Sequence, residues 1–193
     1  RAWDFACSLK TETNRDPDYS ASVKMAKCSD GYYYILDVQR FRARQHDVEE
    51  KVIQTAKDDG VYDVTVVIPR DAGAAGKNYA RVFRQRLTEN GIPARESAVV
   101  PTKSKLARFH PFSVIAAPPP GETKGMVRVL IDELNEDFFN ELEGFTGNLK
   151  DARRQHDDML DACADAFNNL HRTQRAGLMI IPDLKQNRNI RRM

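Results

Sequence analysis

Three period-two segments in immediate succession, followed by a regular exchange of helical and short apolar stretches, restrict the fold of this 193-residue chain more than any single motif does. In residues 3–9, Trp3, Phe5, Cys7 and Leu9 fall on one face of a strand, while Asp4, Ala6 and Ser8 fall on the other. The cluster Asn14-Arg15-Asp16-Pro17-Asp18 marks a turn, 19–28 a second strand, Ser29-Asp30-Gly31 a hairpin, and 32–42 a third strand rich in aromatic and β-branched residues. Strands joined so closely pair most simply as an antiparallel meander. Residues 46–59 then carry a helical stripe of Val48, Val52, Ile53 and Ala56, with Gly60 as its stop. A short apolar strand at 63–69, ending at Arg70-Asp71, precedes a helix at 76–90 closed by Gly91. Further strands are expected at 93–100 and 127–131, and helices at 104–116, 135–144 and 155–172. Strand, helix and strand in that order favour parallel pairing through right-handed crossovers. The expected class is α/β: a mixed sheet in which the meander is followed by parallel strands, with helices on both faces.

Composition narrows the setting. An apolar share of 41% with 30% charged residues describes one globular domain of about this length, 1–176, followed by a basic tail, 177–193, with Lys185, Arg188, Arg191 and Arg192. The tail is expected to dock on a partner or stay mobile. No apolar run approaches the roughly 20 residues of a membrane span, and no signal segment opens the chain. Because Arg1 already lies in a strand-like pattern, we expect a piece of a longer protein. Cys7, Cys28 and Cys163 are odd in number and far apart, which argues against a disulfide framework or a zinc site and for a reducing compartment. A net charge of +2 leaves any nucleic-acid affinity to local patches.

The run His156-Asp157-Asp158-Met159-Leu160-Asp161-Ala162 places three carboxylates within about one helical turn, where they repel one another unless a cation intervenes. The plainer alternative is a solvated helix face whose acids lie near a positive helix N-terminus. On an ideal wheel Leu160, Cys163, Phe167 and Leu170 form the apolar stripe. Asp158 and Asp161 lie well away from it, and Asp157 lies nearest its edge, which makes Asp157 the best ligand candidate. Two more acids stand where an α/β sheet opens its crevice: Asp4 in the first strand and Asp71 just past the end of the fourth. Asp4 has only small neighbours on its face, although an exposed edge strand would also accommodate it, and Asp71 could instead cap the following helix. Converging carboxylates of this kind suit two Mg²⁺ or Mn²⁺ ions clamping a phosphodiester for in-line hydrolysis.

The runs Arg1-Ala2-Trp3-Asp4-Phe5-Ala6, Asp18-Tyr19-Ser20-Ala21, Tyr33-Tyr34-Ile35-Leu36-Asp37-Val38, 68–77 (IPRDAGAAGK) and 156–162 (HDDMLDA) together resemble the nuclease domain of the large terminase subunit of tailed bacteriophages. The resemblance spans nearly the whole chain. It implies a ribonuclease H-like fold and a metal-dependent endonuclease that cuts concatemeric viral double-stranded DNA during packaging, in the host cytoplasm. By position it carries metal-ligand roles onto Asp4, Asp71, Asp157 and Asp158, with Asp161 and His156 as adjacent candidates. It also implies a packaging ATPase domain earlier in the full-length chain, and the portal protein and small terminase subunit as partners. Lys105 and Arg108 match a basic pair in that family and are expected substrate contacts.

Other features invite weaker readings. Asp37 is either a fourth acid of the site or a structural partner of Arg40, and we favour the structural role. The loop Gly73-Ala74-Ala75-Gly76-Lys77 resembles a phosphate-binding loop but has Asp71 where that motif needs Gly and Asn78 where it needs Ser or Thr. Lys77 at a helix start and Arg42 in the basic run 40–44 are candidate DNA contacts, of the kind that positions DNA without reading its sequence. A second function class stays open, a non-catalytic DNA-gripping and portal-docking module. A resolvase or transposase core is a third, without the N-terminal DNA-binding helices expected there.

Overall fold

In the computed structural model, residues 1–70, 73–99, 104–130, 135–145, 156–172 and 190–192 are described. The meander forms from β1 (Ala2–Asp4), β2 (Ser20–Lys27) and β3 (Tyr33–Phe41), each antiparallel to the next. After α1 (Gln45–Asp59), the chain adds β4 (Val66–Ile68) parallel to β1, then crosses through α2 (Ala74–Glu89) to β5 (Ala94–Glu96), parallel to β4. It then passes through α3 (Lys105–Ala116) to β6 (Val127–Leu130), parallel to β3 on the other side of the meander, and continues into α4 (Asn135–Gly144) and α5 (Asp158–Arg172). A last strand, β7 (Ile190–Arg192), is antiparallel to β6 and ends the order β5-β4-β1-β2-β3-β6-β7. This strand lies within the stretch read from sequence as a basic tail; its three residues carry no periodic apolar signal, and only backbone pairing defines it.

Alternation along β1 divides the interior in two. Trp3 points into a cluster with Val48, Val52 and Ile53 of α1 and Phe83 and Leu87 of α2. Ala2 points the other way, into a cluster with Phe109 and Phe112 of α3, Phe138 of α4, and Leu160, Cys163 and Phe167 of α5. Helices therefore cover both faces. Burying a side chain such as Phe167 or Trp3 contributes roughly 1.5 to 3 kcal/mol each, so the two layers are firmly held.

Two local departures matter for the site. The strand at 3–9 stops at Asp4, because Ser20 Oγ accepts the N–H groups of Ala6 (3.2 Å) and Cys7 (3.4 Å) and Cys7 takes φ +50°. Second, Leu36 is an extra residue opposite the Lys24/Met25 step of β2, a bulge that reverses the alternation of β3. Tyr33 and Ile35 before it and Val38 after it all reach the α5 side. Asp37 is thereby turned to the α1 side, where its carboxylate meets the Arg1 guanidinium at 2.6 Å. Its role is structural, as favoured, but its partner is Arg1. Arg40 instead pairs with Asp137 (2.5 Å) and Glu141 (3.3 Å) of α4.

Candidate active site

Asp4 ends β1, which lies inside the sheet between β4 and β2, so the exposed edge-strand alternative fails. By alternation its side chain shares the face of Ala2, toward α5. Ala2 pairs with Val67, which sets the carboxyl ends of β1 and β4 side by side. Asp71, three residues beyond β4, lies outside the described residues.

Helix α5 does not present the solvated acidic face that the wheel suggested. Every residue from Asp158 to Asn169 is buried except Asp161, which is partly exposed. The sheet lies on one side of it and α3 and α4 on others, and its small residues Ala162, Ala164 and Ala166 let these neighbours approach. Asp157 precedes the helix; its carbonyl accepts the Asp161 N–H at 2.9 Å. The ideal wheel therefore does not apply to Asp157, and Asp158, expected far from the core, is only 6% exposed. Asp158 Oδ2 accepts the Tyr19 N–H at 3.0 Å and lies 3.5 Å from His156 Nδ1. Burial still pushes its carboxyl above the ordinary carboxylate range.

The electrostatics show which acids converge. Burial, then the charges of Asp161 and Asp158, push Asp4 up to about 8; Lys105 opposes this and Asp165 adds to it. Lys105 Nζ lies 2.6 Å from Asp157 Oδ1 and 3.0 Å from Asp161 Oδ2, and Arg108 Nη2 lies 2.9 Å from Asp161 Oδ1. Burial works against the Lys105 charge, but Asp161 and Asp157 outweigh it and hold the ammonium well above its usual range. Two carboxylates that the sequence reading missed complete the wall. Asp165 lies one turn beyond Asp161, and burial pushes it up to about 6 against a hydrogen bond from Ser97. Glu141 of α4 accepts the Met159 N–H at 3.0 Å, capping α5 from behind, and burial followed by the Asp158 charge pushes it up to about 7. A spacing of four from Asp161 could have identified Asp165; Glu141 has no local signal because it comes from another helix.

The remaining candidates divide. His156 lies beside Asp158, with Nε2 3.0 Å from Asp16 Oδ2 and Nδ1 3.9 Å from Asp18 Oδ1. Asp18, His156 and Asp158 offer ligand atoms all within 4.8 Å of one another, a second grouping in which Asp18 was not foreseen as a site residue. Arg42 turns inward: its Nε donates to the Pro17 carbonyl at 2.7 Å, its guanidinium lies 3.8 Å from the Tyr19 ring centroid, and it also pairs with Asp16. It clasps the loop that delivers the Tyr19 N–H to Asp158. Lys77 is exposed on the first turn of α2, but its own N–H bonds the Gly73 carbonyl. Residues 74–77 are helical, so the Gly-rich run does not form a phosphate-cradling loop.

Among the described residues, Asp4, Asp157, Asp158, Asp161 and Asp165 thus outnumber the lysine and arginine that pair with this group, Lys105 and Arg108. Hard oxygen donors with excess negative charge fit Mg²⁺ or Mn²⁺, and the buried Asp165 Oδ1, which has no hydrogen-bond partner among the described residues, agrees with that fit. Among curated proteins none matches the chain. The terminase RNaseH-like domain model matches residues 1–170, the whole of the region that builds the sheet from β1 to β6 and the acidic wall. The chain belongs to the terminase RNaseH-like domain family.

Proposed function

We propose that this domain is a metal-dependent endonuclease that cleaves concatemeric viral double-stranded DNA during genome packaging. The carrying observation is that β1, which ends at Asp4, packs on the buried helix that carries Asp158 and Asp161, in a family of terminase nuclease type. Asp4, Asp158 and Asp161 would hold the ions, with Asp157 at the mouth and Asp71 as the further ligand expected from its place after β4. Two Mg²⁺ or Mn²⁺ ions bound there would activate the attacking water and stabilise the leaving oxygen of the phosphodiester. The chain's own groups do the rest. Tyr19 N–H and His156 fix the Asp158 carboxylate, as partners behind a metal ligand commonly do. Lys105 and Arg108 stand at the rim, positioned to take DNA phosphates once the acids they now pair with are otherwise neutralised. Double-stranded DNA, a packaging ATPase domain of the full-length chain, the portal protein and the small terminase subunit are the partners in this reading, and the host cytoplasm is its setting.

A plasmid-nicking assay with Mg²⁺ or Mn²⁺, EDTA controls, and the variants Asp4→Asn and Asp158→Asn tests the proposal. Wild type should convert supercoiled DNA to nicked and linear forms, and both variants should lose that activity. If supercoiled DNA survives either metal at micromolar protein, the non-catalytic DNA-gripping and portal-docking reading replaces this one.

A further inference from the structure

Asp158, Asp161 and Asp165 follow at spacings of three and four along α5, so they share one helical face. Asp165 lies furthest along the helix, is 7% exposed, and its Oδ1 has no hydrogen-bond partner among the described residues. Buried carboxylate oxygens are normally bonded, and leaving one unpaired costs stability. A purely structural role would be to anchor the segment after β5 to the helix, and a hydrogen bond from Ser97 to the carboxylate contributes to that. Asn169 already holds the same segment without a buried charge. Its Oδ1 accepts the Ala98 N–H at 3.2 Å, and its Nδ2 donates to the Asp165 carbonyl at 2.8 Å and reaches Ser97 Oγ at 3.3 Å. Nor does Arg108, whose charge acts on the Asp165 carboxylate, satisfy its Oδ1. Arg108 directs Nη2 to Asp161, and its Nε is also buried without a partner among the described residues.

We propose that Asp165 is a working carboxylate of the divalent-ion site, supplying negative charge and strengthening cation binding at Asp4 and Asp161. This rests on the metal-dependent reading above. In the metal-free protein Asp165 adds to the repulsion that Asp4 already feels from Asp161 and Asp158. Bound ions convert the same crowding into attraction. The residue thus lowers the stability of the empty domain and raises its affinity for metal, a combination typical of functional groups.

The test is Mn²⁺ binding by isothermal titration calorimetry together with thermal unfolding in EDTA and in Mn²⁺, for wild type, Asp4→Asn, Asp165→Asn and Asp165→Ser. Asp165→Asn keeps the shape and removes the charge. It should weaken Mn²⁺ binding by about tenfold, as loss of a supporting group around a metal does, while raising the melting temperature in EDTA. Unchanged Mn²⁺ affinity with a lowered melting temperature in EDTA overturns the proposal and makes Asp165 structural. Failure of both Asp165 variants to fold overturns it as well. If wild type binds no Mn²⁺ and Asp4→Asn changes nothing, the metal-dependent reading itself is the one that falls; if Asp4→Asn alone abolishes binding, only the role of Asp165 is lost.

Discussion

Replacing Asp4 by Asn should make the metal-free domain more stable at alkaline pH and no more stable in acid. In the unfolded chain this carboxyl ionises near its ordinary 3.8, whereas in the folded protein burial and the neighbouring Asp161 and Asp158 charges raise it to about 8. Below about pH 4 both states hold the proton, and the group contributes nothing to the difference. Between about pH 4 and 8 the folded state keeps a proton that the unfolded state has released, so each rise of one pH unit favours unfolding by about 1.4 kcal/mol. The limit is about 6 kcal/mol at pH 8. Water entry and side-chain relaxation raise the effective dielectric around such groups, so we expect about 2 to 3 kcal/mol to survive. Urea unfolding in EDTA at pH 5, 6, 7 and 8 measures it. The Asn variant should nearly match wild type at pH 5 and exceed it by that amount at pH 8. Glu141 and Asp165 titrate in both proteins and largely cancel from the difference. Parallel profiles across the whole range would refute the claim that Asp4 packs against the acids of α5.

Lys105→Met should tighten Mn²⁺ binding several-fold, because the ammonium competes for the oxygens of Asp157 and Asp161. Since Lys105 is 42% exposed, its loss should lower metal-free stability by only about 1 kcal/mol; weaker Mn²⁺ binding in calorimetry would show that it supports the site instead of competing. Arg42→Ala removes the Pro17 bond and the Tyr19 stacking and should cost about 1 to 2 kcal/mol. Amide exchange at Tyr19 should quicken while DNA affinity at fixed salt holds. Lower DNA affinity with unchanged Tyr19 exchange would restore Arg42 as a phosphate contact.

How far these features can be read from sequence depends on their range. Period two and period 3.6 are local, so the meander, the helices and the order of parallel strands are legible within a few residues, and α4 (Asn135–Gly144) coincides with its expected span. The bulge at Leu36 is not, because it exists only in the pairing of β3 with β2. Asp4 stands out as a lone acid among small residues, but its half-buried place facing α5 depends on β1 lying inside the sheet. The wheel misjudged Asp158 because it divides a helix into one apolar face and one wet face. A helix enclosed by sheet, α3 and α4 has no wet face, and the polar residues it carries inward, Asp158, Asp165, Asn168 and Asn169, then look like surface residues in the sequence. Glu141 and Asp18 reach the site across more than a hundred residues or from another helix, and no local pattern encodes that.

The enclosure of α5 also explains why the site can exist at all. Several carboxylates brought together without water repel one another strongly, and their repulsion would expel an exposed helix start. Here the opposing forces are spread along the helix and around it. Met159, Leu160, Cys163 and Phe167 fix it in the core; Glu141 holds the Met159 N–H; and the Tyr19 N–H, itself steadied by Arg42, holds Asp158. Lys105 and Arg108 neutralise Asp157 and Asp161 and leave Asp4 and Asp165 without ion-pair partners among the described residues. Positive charge is therefore scarcest where β1 meets α5, and in the metal-free protein Asp4 answers by keeping its proton. A divalent ion bound there, as proposed above, would supply the positive charge that Lys105 and Arg108 spend on Asp157 and Asp161.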